Sequence, residues 1–311
     1  MTSALETPMA VTVRAPAKVN LELLVGPLRP DGYHALSTVY QAVGIHDEVT
    51  ASYADEWGCS VRGRDADKVP TDESNLALKA ARALAERSGG QDPVHLSIHK
   101  QIPVAGGMAG GSADAAAALL ACDALWETGL SKEALDEVAA EIGSDVPFLL
   151  HGGTAVGSGR GELVTAVLAK GTYHWVFVPS AGSGLSTPSV YRAFDERTAG
   201  TTIDDPTPSS ALMSALRAGD ATTLAPVLDN DLQRDAIGLQ PEIGDVIEAA
   251  MGFGALAAIV SGSGPTVAVL ADSTESAIDL AVSLTASGVA GDILRATGPV
   301  AGAHIIPTVR I

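Results

Sequence analysis

The chain has 311 residues, enough for two domains that each bury a core of their own. Hydrophobic residues make up 46% and charged residues 18%, the balance of a soluble globular protein, and no apolar run reaches membrane-spanning length. A formal charge of −18 argues against nucleic acid or an anionic membrane as partner, because both reward basic surfaces. Any anionic ligand must therefore be held by local donors against an unfavourable overall field. Cys59 and Cys122 match no metal or redox spacing and read as buried thiols of a reducing compartment. The opening MTSALETPMA lacks the basic and apolar regions of a secretory signal, so a cytoplasmic protein is expected.

In chain order, 10–25 reads as a strand broken at Pro16 and resumed through Val25. Alternation puts Val19, Leu21 and Leu23 on one face and Lys18, Asn20 and Glu22 on the other. Lys18 and Asn20, two apart, point either into one cleft or out to solvent as a polar edge. RPDGYH at 29–34 is a turn signal that leaves Tyr33 and His34 just past the tip. Strands are expected at 36–43 and 47–53, and a first helix after Asn75 to about Arg87, ended by Gly89 and Gly90. VHLSIHK, 94–100, alternates as a half-buried strand does.

The next stretch, PVAGGMAGGSADAA, holds Gly106, Gly107, Gly110 and Gly111, then Ser112 and an alanine-rich run to Trp126. Alanine favours helix, so Ser112 reads as N-cap or first-turn residue of a helix over 112–126. Strand, glycine-rich loop and helix start together form an anion site, where unpaired N–H groups and the positive end of the helix dipole favour phosphate. The plain alternative is a flexible turn. No GxxxxGK[ST] loop or GxGxxG fingerprint occurs, so a cationic partner must come from elsewhere in the chain.

Ser131 caps a helix over 132–142, and GSDVPFLLHGG follows at 143–153. Asp145, two before Pro147, fits a helix cap as readily as a catalytic carboxylate. Short strands at 153–157 and 160–164 lead to a boundary near Ala169 to Gly171. The expected domains are 10–168 and 172–311. The second half reads as strand 173–179, small-residue loop 180–189, a short helix with Tyr191, and a polar surface loop at 195–210. Helices at 210–218 and 241–251, a strand to Val260, the second glycine loop SGSGPT (261–266) and a strand through Leu270 follow. A helix at 274–287 and strands near 292–297 and 302–309 end the chain. This alternation predicts a ferredoxin-like α+β layer.

APAKVNL (15–21), the glycine loop with Ser112, GSDVPF (143–148) and SGSGPT (261–266), taken together, resemble the GHMP kinases, small-molecule kinases that bind ATP without a Walker loop. With DGYH between the first two, the resemblance spans about 10–310 and is nearest to the branch that phosphorylates the 2-hydroxyl of a cytidine-diphosphate-linked methylerythritol in non-mevalonate isoprenoid synthesis. It implies an α+β, two-domain architecture: an N-terminal mixed sheet-and-helix domain like ribosomal protein S5, a ferredoxin-like C-terminal domain, and an active site in the cleft between them. By the same likeness Lys18 and Asp145 are catalytic. Pro103, Val104, Ala105, Gly106, Gly107, Met108, Ala109, Gly110, Gly111, Ser112 and Ala113 form the ATP-phosphate loop, with Asn75, Leu76 and Lys100 on the adenosine side. Asn20, Tyr33, His34, Thr187 and Tyr191 would hold the second substrate. ATP is implied, with Mg²⁺ accompanying it and no protein ligand to the metal assignable; a monomer or weak homodimer is expected. The family loop usually reads GLGGGSSNAA, and Ala109, Ala113 and Asp114 depart from it. Another GHMP kinase, for homoserine, mevalonate or a sugar, and a non-catalytic nucleotide-binding protein are the competing readings.

Overall fold

In the computed structural model, which describes residues 10–104, 106–180 and 185–307, the chain begins as one long hairpin. β1 (Ala10–Leu28) and β2 (His34–Tyr53) pair antiparallel around the Asp31-Gly32 turn. The break expected at Pro16 is instead a bulge: the register shifts between Pro16 and Ala17, which absorbs the missing N–H donor. The same irregularity lets the two expected runs at 36–43 and 47–53 form one strand. A second shift, between Asn20 and Glu22, changes the phase of the alternation. Val19 and Leu21 pack into the first core, but Leu23 and Val25 pack into the second. Leu23 thus leaves the face expected for it and joins Lys18 and Asn20 on the wall of a cleft.

β3 (Gly58–Gly63), α1 (Leu76–Arg87), β4 (Val94–Lys100), α2 (Gly110–Trp126), α3 (Lys132–Ile142), α4 (Val146–His151), β5 (Thr154–Ser158) and β6 (Leu163–Ala166) complete the first half. Asn75 caps α1, its side-chain oxygen accepting the N–H groups of Ala77 and Leu78. Ser131 caps α3 in the same way, through Ala134 N–H. The middle of α2, from Ala113 to Leu119, is buried on every side, and its small side chains let it lie close under β1, β2 and α1.

The second half supplies β7 (Tyr173–Val178), α5 (Thr187–Thr198), α6 (Ser210–Ala218), α7 (Ala221–Leu224), β8 (Asp229–Asn230), α8 (Gln233–Leu239), α9 (Glu242–Gly252), β9 (Ala257–Val260), β10 (Val267–Ala271), α10 (Thr274–Ser287), β11 (Leu294–Gly298) and β12 (His304–Ile306). One sheet runs β11-β7-β10-β9, antiparallel throughout. With α9 and α10 packed on it, this is the ferredoxin-like layer. The other runs β12-β1-β2-β4-β3, extended by β5, β6 and β8. The strands change sheet near Ala169, yet β8 and β12 from the second half pair with β1.

Alternation along β7 joins the two layers. Val176 and Val178 face the helices of the second core, while Tyr173, Trp175 and Phe177 face the first. Trp175 Nε1 donates to Gln41 Oε1 on β2 at 3.0 Å, satisfying a buried indole across the seam. Of the two cysteines, Cys122 is buried and Cys59 only half-buried.

Candidate active site

The cleft between the layers opens into a cavity of about 650 Å³. Its floor is the glycine-rich loop. Ala109, not Ser112, is the N-cap of α2; Ser112 lies in the first turn. Ala109 takes the left-handed conformation at φ 61°, where a glycine would sit without strain, at a cost of about 1–2 kcal/mol. The first N–H groups of α2 have no partner within the helix and face the loop. Gly107 and Ser112 line the cavity, whereas Met108 and Ala113 are fully buried beneath it. Pro103, Gly106 and Gly110 are also buried, Val104 half-buried and Gly111 exposed; Ala105 lies outside the described residues.

The catalytic candidates meet above this floor. Lys18 N–H donates to Met108 O at 3.2 Å, which fixes β1 to the loop. Its ammonium donates to Asn20 Oδ1 at 2.6 Å and lies 3.8 Å from Asp145 Oδ2. Asn20 in turn donates to Thr38 Oγ1 at 2.7 Å, and Thr38 to Glu22 O at 2.7 Å, so the polar row on β1 is aimed by bonds and not left to solvent. Asp145 stands at the N-cap of α4, but its side chain makes no capping bond. The carboxylate turns to Lys18 and to the Tyr40 hydroxyl, and the cap reading falls away. Burial pulls the Lys18 pKa below its ordinary value, with Asp145 opposing the shift. Burial, then the Asp145 charge, pushes Tyr40 well up, so its hydroxyl stays protonated as a donor.

The other end of the cavity is aromatic. His34 and Tyr191 stack with centroids 5.6 Å apart, and Phe194 meets His34 edge-on. His34 Nδ1 is 2.8 Å from Gly26 O, a contact that requires Nδ1 to carry the proton and leaves Nε2 an acceptor in the neutral ring. Nε2 is 3.1 Å from Asp195 Oδ1 without the alignment of a hydrogen bond. Tyr33 is 56% exposed at the mouth. Thr187 Oγ1 is 2.9 Å from Ser263 Oγ, which ties α5 to the second glycine loop. The cavity therefore brings together Lys18, Asp145, Asn20, Tyr33, His34, Thr187 and Tyr191 with the loop.

The adenosine-side candidates stand apart from it. The Asn75 side chain is spent on the α1 cap and on Pro70 O. Leu76 packs toward Gly111. Lys100 is buried, donating to Asp47 Oδ2 at 2.5 Å, Asp114 Oδ2 at 2.7 Å and Gly110 O at 3.1 Å. That ammonium is neutralised behind the loop and closed to a ligand, a correction to its expected role. The same pairing takes Asp114 away from the cavity, so the departures at 113 and 114 do not touch the cavity wall. Tyr40, Arg160, Asp195 and Gly262 also line the cavity and were not picked out from the sequence. Gly262 and Ser263 belong to SGSGPT, which carried a signal; Tyr40 sits in an ordinary strand pattern and carried none.

A glycine-rich loop beside a lysine–aspartate pair, in a cleft over a ferredoxin-like layer, is the arrangement of a small-molecule kinase of the GHMP class. The family models agree: "GHMP kinases N terminal domain" matches residues 75–153 and "GHMP kinases C terminal" matches 212–290. A 4-diphosphocytidyl-2-C-methyl-D-erythritol kinase of Streptomyces coelicolor is 53% identical over 96% of this chain and 100% of its own length. A crystal structure of 4-(cytidine 5'-diphospho)-2C-methyl-D-erythritol kinase matches with TM-score 0.74 and 31% identity, over 92% of this chain and 98% of that one. A homoserine kinase from Cytophaga hutchinsonii shares the fold at TM-score 0.72 but only 19% identity, covering 98% of this chain and 100% of its own. The chain belongs to the 4-diphosphocytidyl-2-C-methyl-D-erythritol kinase family of GHMP kinases.

Proposed function

We infer that this chain transfers the γ-phosphoryl group of ATP to the 2-hydroxyl of 4-diphosphocytidyl-2-C-methyl-D-erythritol, giving the 2-phosphate and ADP in non-mevalonate isoprenoid synthesis. The observation that carries this reading is the Lys18–Asp145 pair, 3.8 Å apart above the anion loop. The new bond joins the 2-hydroxyl oxygen to the γ-phosphorus, the β–γ bridging bond breaks with its electrons to ADP, and the hydroxyl proton passes to Asp145. A loose phosphoryl transition state spreads charge over its oxygens, so positioning and electrostatics dominate. Lys18 offsets that charge. Amides of the loop and of the first turn of α2 cradle the triphosphate, and Tyr40 and Lys18 hold Asp145 toward the acceptor. His34 offers a hydrogen bond to the base at the aromatic end of the cavity, while Tyr33 and Tyr191 offer it their faces.

Mg²⁺ would come with the nucleotide. Among the described residues no three His, Cys, Asp or Glu side chains cluster, which fits an ion that keeps water and phosphate ligands and needs at most one or two protein oxygens. The lining offers it the carboxylates of Asp145 and Asp195 and the hydroxyls of Ser112, Ser144, Thr187 and Ser263, of which Ser112 stands in the first turn after the glycine loop and Asp145 beside Lys18; the ion would neutralise phosphate charge. The two cysteines are unpaired, and no described helix is long and apolar enough to cross a membrane, in keeping with a cytoplasmic site of action.

The test is coupled ADP release with the cytidylyl substrate against homoserine and mevalonate. Turnover is expected on the first alone; turnover only on the others overturns the assignment. Asp145→Ala should lower turnover by about 10²–10⁴-fold with ATP affinity changed by only a few-fold. Unchanged turnover would remove Asp145 from the mechanism.

A further inference from the structure

We propose that Arg160 and Arg192, one from each half of the chain, grip the diphosphate of the cytidylyl substrate across the mouth of the cavity. This rests on the substrate assigned above. The amides of the glycine loop serve one polyphosphate; the reaction brings a second, and on a chain of charge −18 it needs cations of its own. Among the described residues lining the cavity, the permanently cationic side chains are Lys18, Arg160 and Arg192. Lys18 is buried beside Asp145 at the reacting end of the cavity and serves the transferred phosphoryl group, which leaves the two arginines for the second polyphosphate.

Their placement fits. Arg160 sits in the turn between β5 and β6, its guanidinium 5.2 Å from the centre of the Tyr33 ring. Glu162 fixes that turn by accepting Arg160 N–H at 2.6 Å, and its other oxygen lies 3.7 Å from Nε. Arg160 lines the cavity, and a guanidinium that stacks on an aromatic ring can still present its fork to phosphate. Arg192 follows Tyr191 on α5, lines the cavity, is exposed and has no ion pair among the described residues. Arg160 thus stands against Tyr33 and Arg192 beside Tyr191 in sequence, so a base held near these two rings would carry its 5′-diphosphate past both arginines.

The experiment measures binding of cytidine, CMP and CDP to the wild type, Arg160→Met and Arg192→Met, alongside steady-state kinetics. Methionine keeps an apolar stem, over Tyr33 in the case of Arg160, and removes the charge with its N–H donors. Each variant should weaken CDP by about 10–100-fold, as expected for losing a hydrogen bond to a charged group, while cytidine changes by less than about two-fold. KM for the cytidylyl substrate should rise in parallel, and KM for ATP reports that the fold and the loop are intact. Equal weakening of cytidine and CDP, or no weakening of either, overturns the clamp while turnover by the wild type leaves the kinase assignment standing. A wild type that neither binds CDP nor phosphorylates the cytidylyl substrate overturns both.

Discussion

Lys18 is an ammonium held where water has been removed, and its energetics separate catalysis from stability. Its pKa in the folded chain lies below the ordinary 10.5 because burial opposes the charge. Where both states are protonated, below the folded value, that depression costs stability; the cost disappears as pH rises through the window between the folded value and 10.5. Lys18→Met should therefore hold or raise the melting temperature at pH 7 while abolishing turnover. A lowered melting temperature with turnover retained would mark the lysine as structural. In the wild type the alkaline limb of kcat/KM, which reports the free enzyme, should fall below pH 10.5, read from a pH–rate profile. The lysine, asparagine and aspartate could be nominated from residue types and motif likeness. Their shared cleft could not, because Lys18 and Asp145 are brought together by β1 and α4, which meet only in the folded chain.

At the scale of elements, both ends of the glycine-rich loop are bound to one buried ion cluster. Asp47 on β2 accepts the N–H groups of Gln101 and Ile102 with one oxygen and pairs with Lys100 through the other. Lys100 then reaches Gly110 O and Asp114 on α2, so the strand before the loop and the helix after it are clamped together. Burial opposes the Lys100 charge, but Asp114 and Asp47 more than offset it and hold its pKa up; burial pushes Asp114 well up. Removing the cation leaves two buried carboxylates facing each other, so Lys100→Met should cost about 3–5 kcal/mol in denaturant unfolding. Adding Asp114→Asn should return part of that loss, and strict additivity in the double-mutant cycle would show that the pair does not interact. The loop, the helix and the Ser131 cap were readable because alanine, glycine and serine act locally. Lys100 was not: next to a phosphate loop an unpaired lysine suggests a ligand, and only the packing of β2 under α2 brings its two aspartates to it.

For the molecule as a whole, the two glycine loops are bonded to each other and so tie one layer to the other. Ser261 Oγ donates to Gly107 O at 3.1 Å, and Thr266 N–H to Gly106 O at 3.3 Å. Gly107 has φ 74°, and a Cβ there would lie 2.2 Å from Ser261 O, a backbone atom that cannot swing aside. Gly107→Ala should thus combine left-handed strain with a forced separation of the loops, each costing about 1–3 kcal/mol. The expected outcome is a lower melting temperature together with loss of ATP binding; a variant with wild-type values of both would show that the loops need not touch.

By itself the sequence determined the hairpin turn, the capped helices, the ferredoxin-like alternation of the second half and the family motifs, since each depends on propensity and periodicity within a few residues. Tertiary structure alone decided that a bulge turns Leu23 toward the cleft, that Asp145 is free of its cap, that Lys100 is sealed by Asp47 and Asp114, and that two arginines from separate halves face one mouth. Those outcomes depend on register and on contacts between separate elements, 14 residues apart for Lys100 and Asp114 and 53 for Lys100 and Asp47, where desolvation and charge pairing, not local preference, select the arrangement.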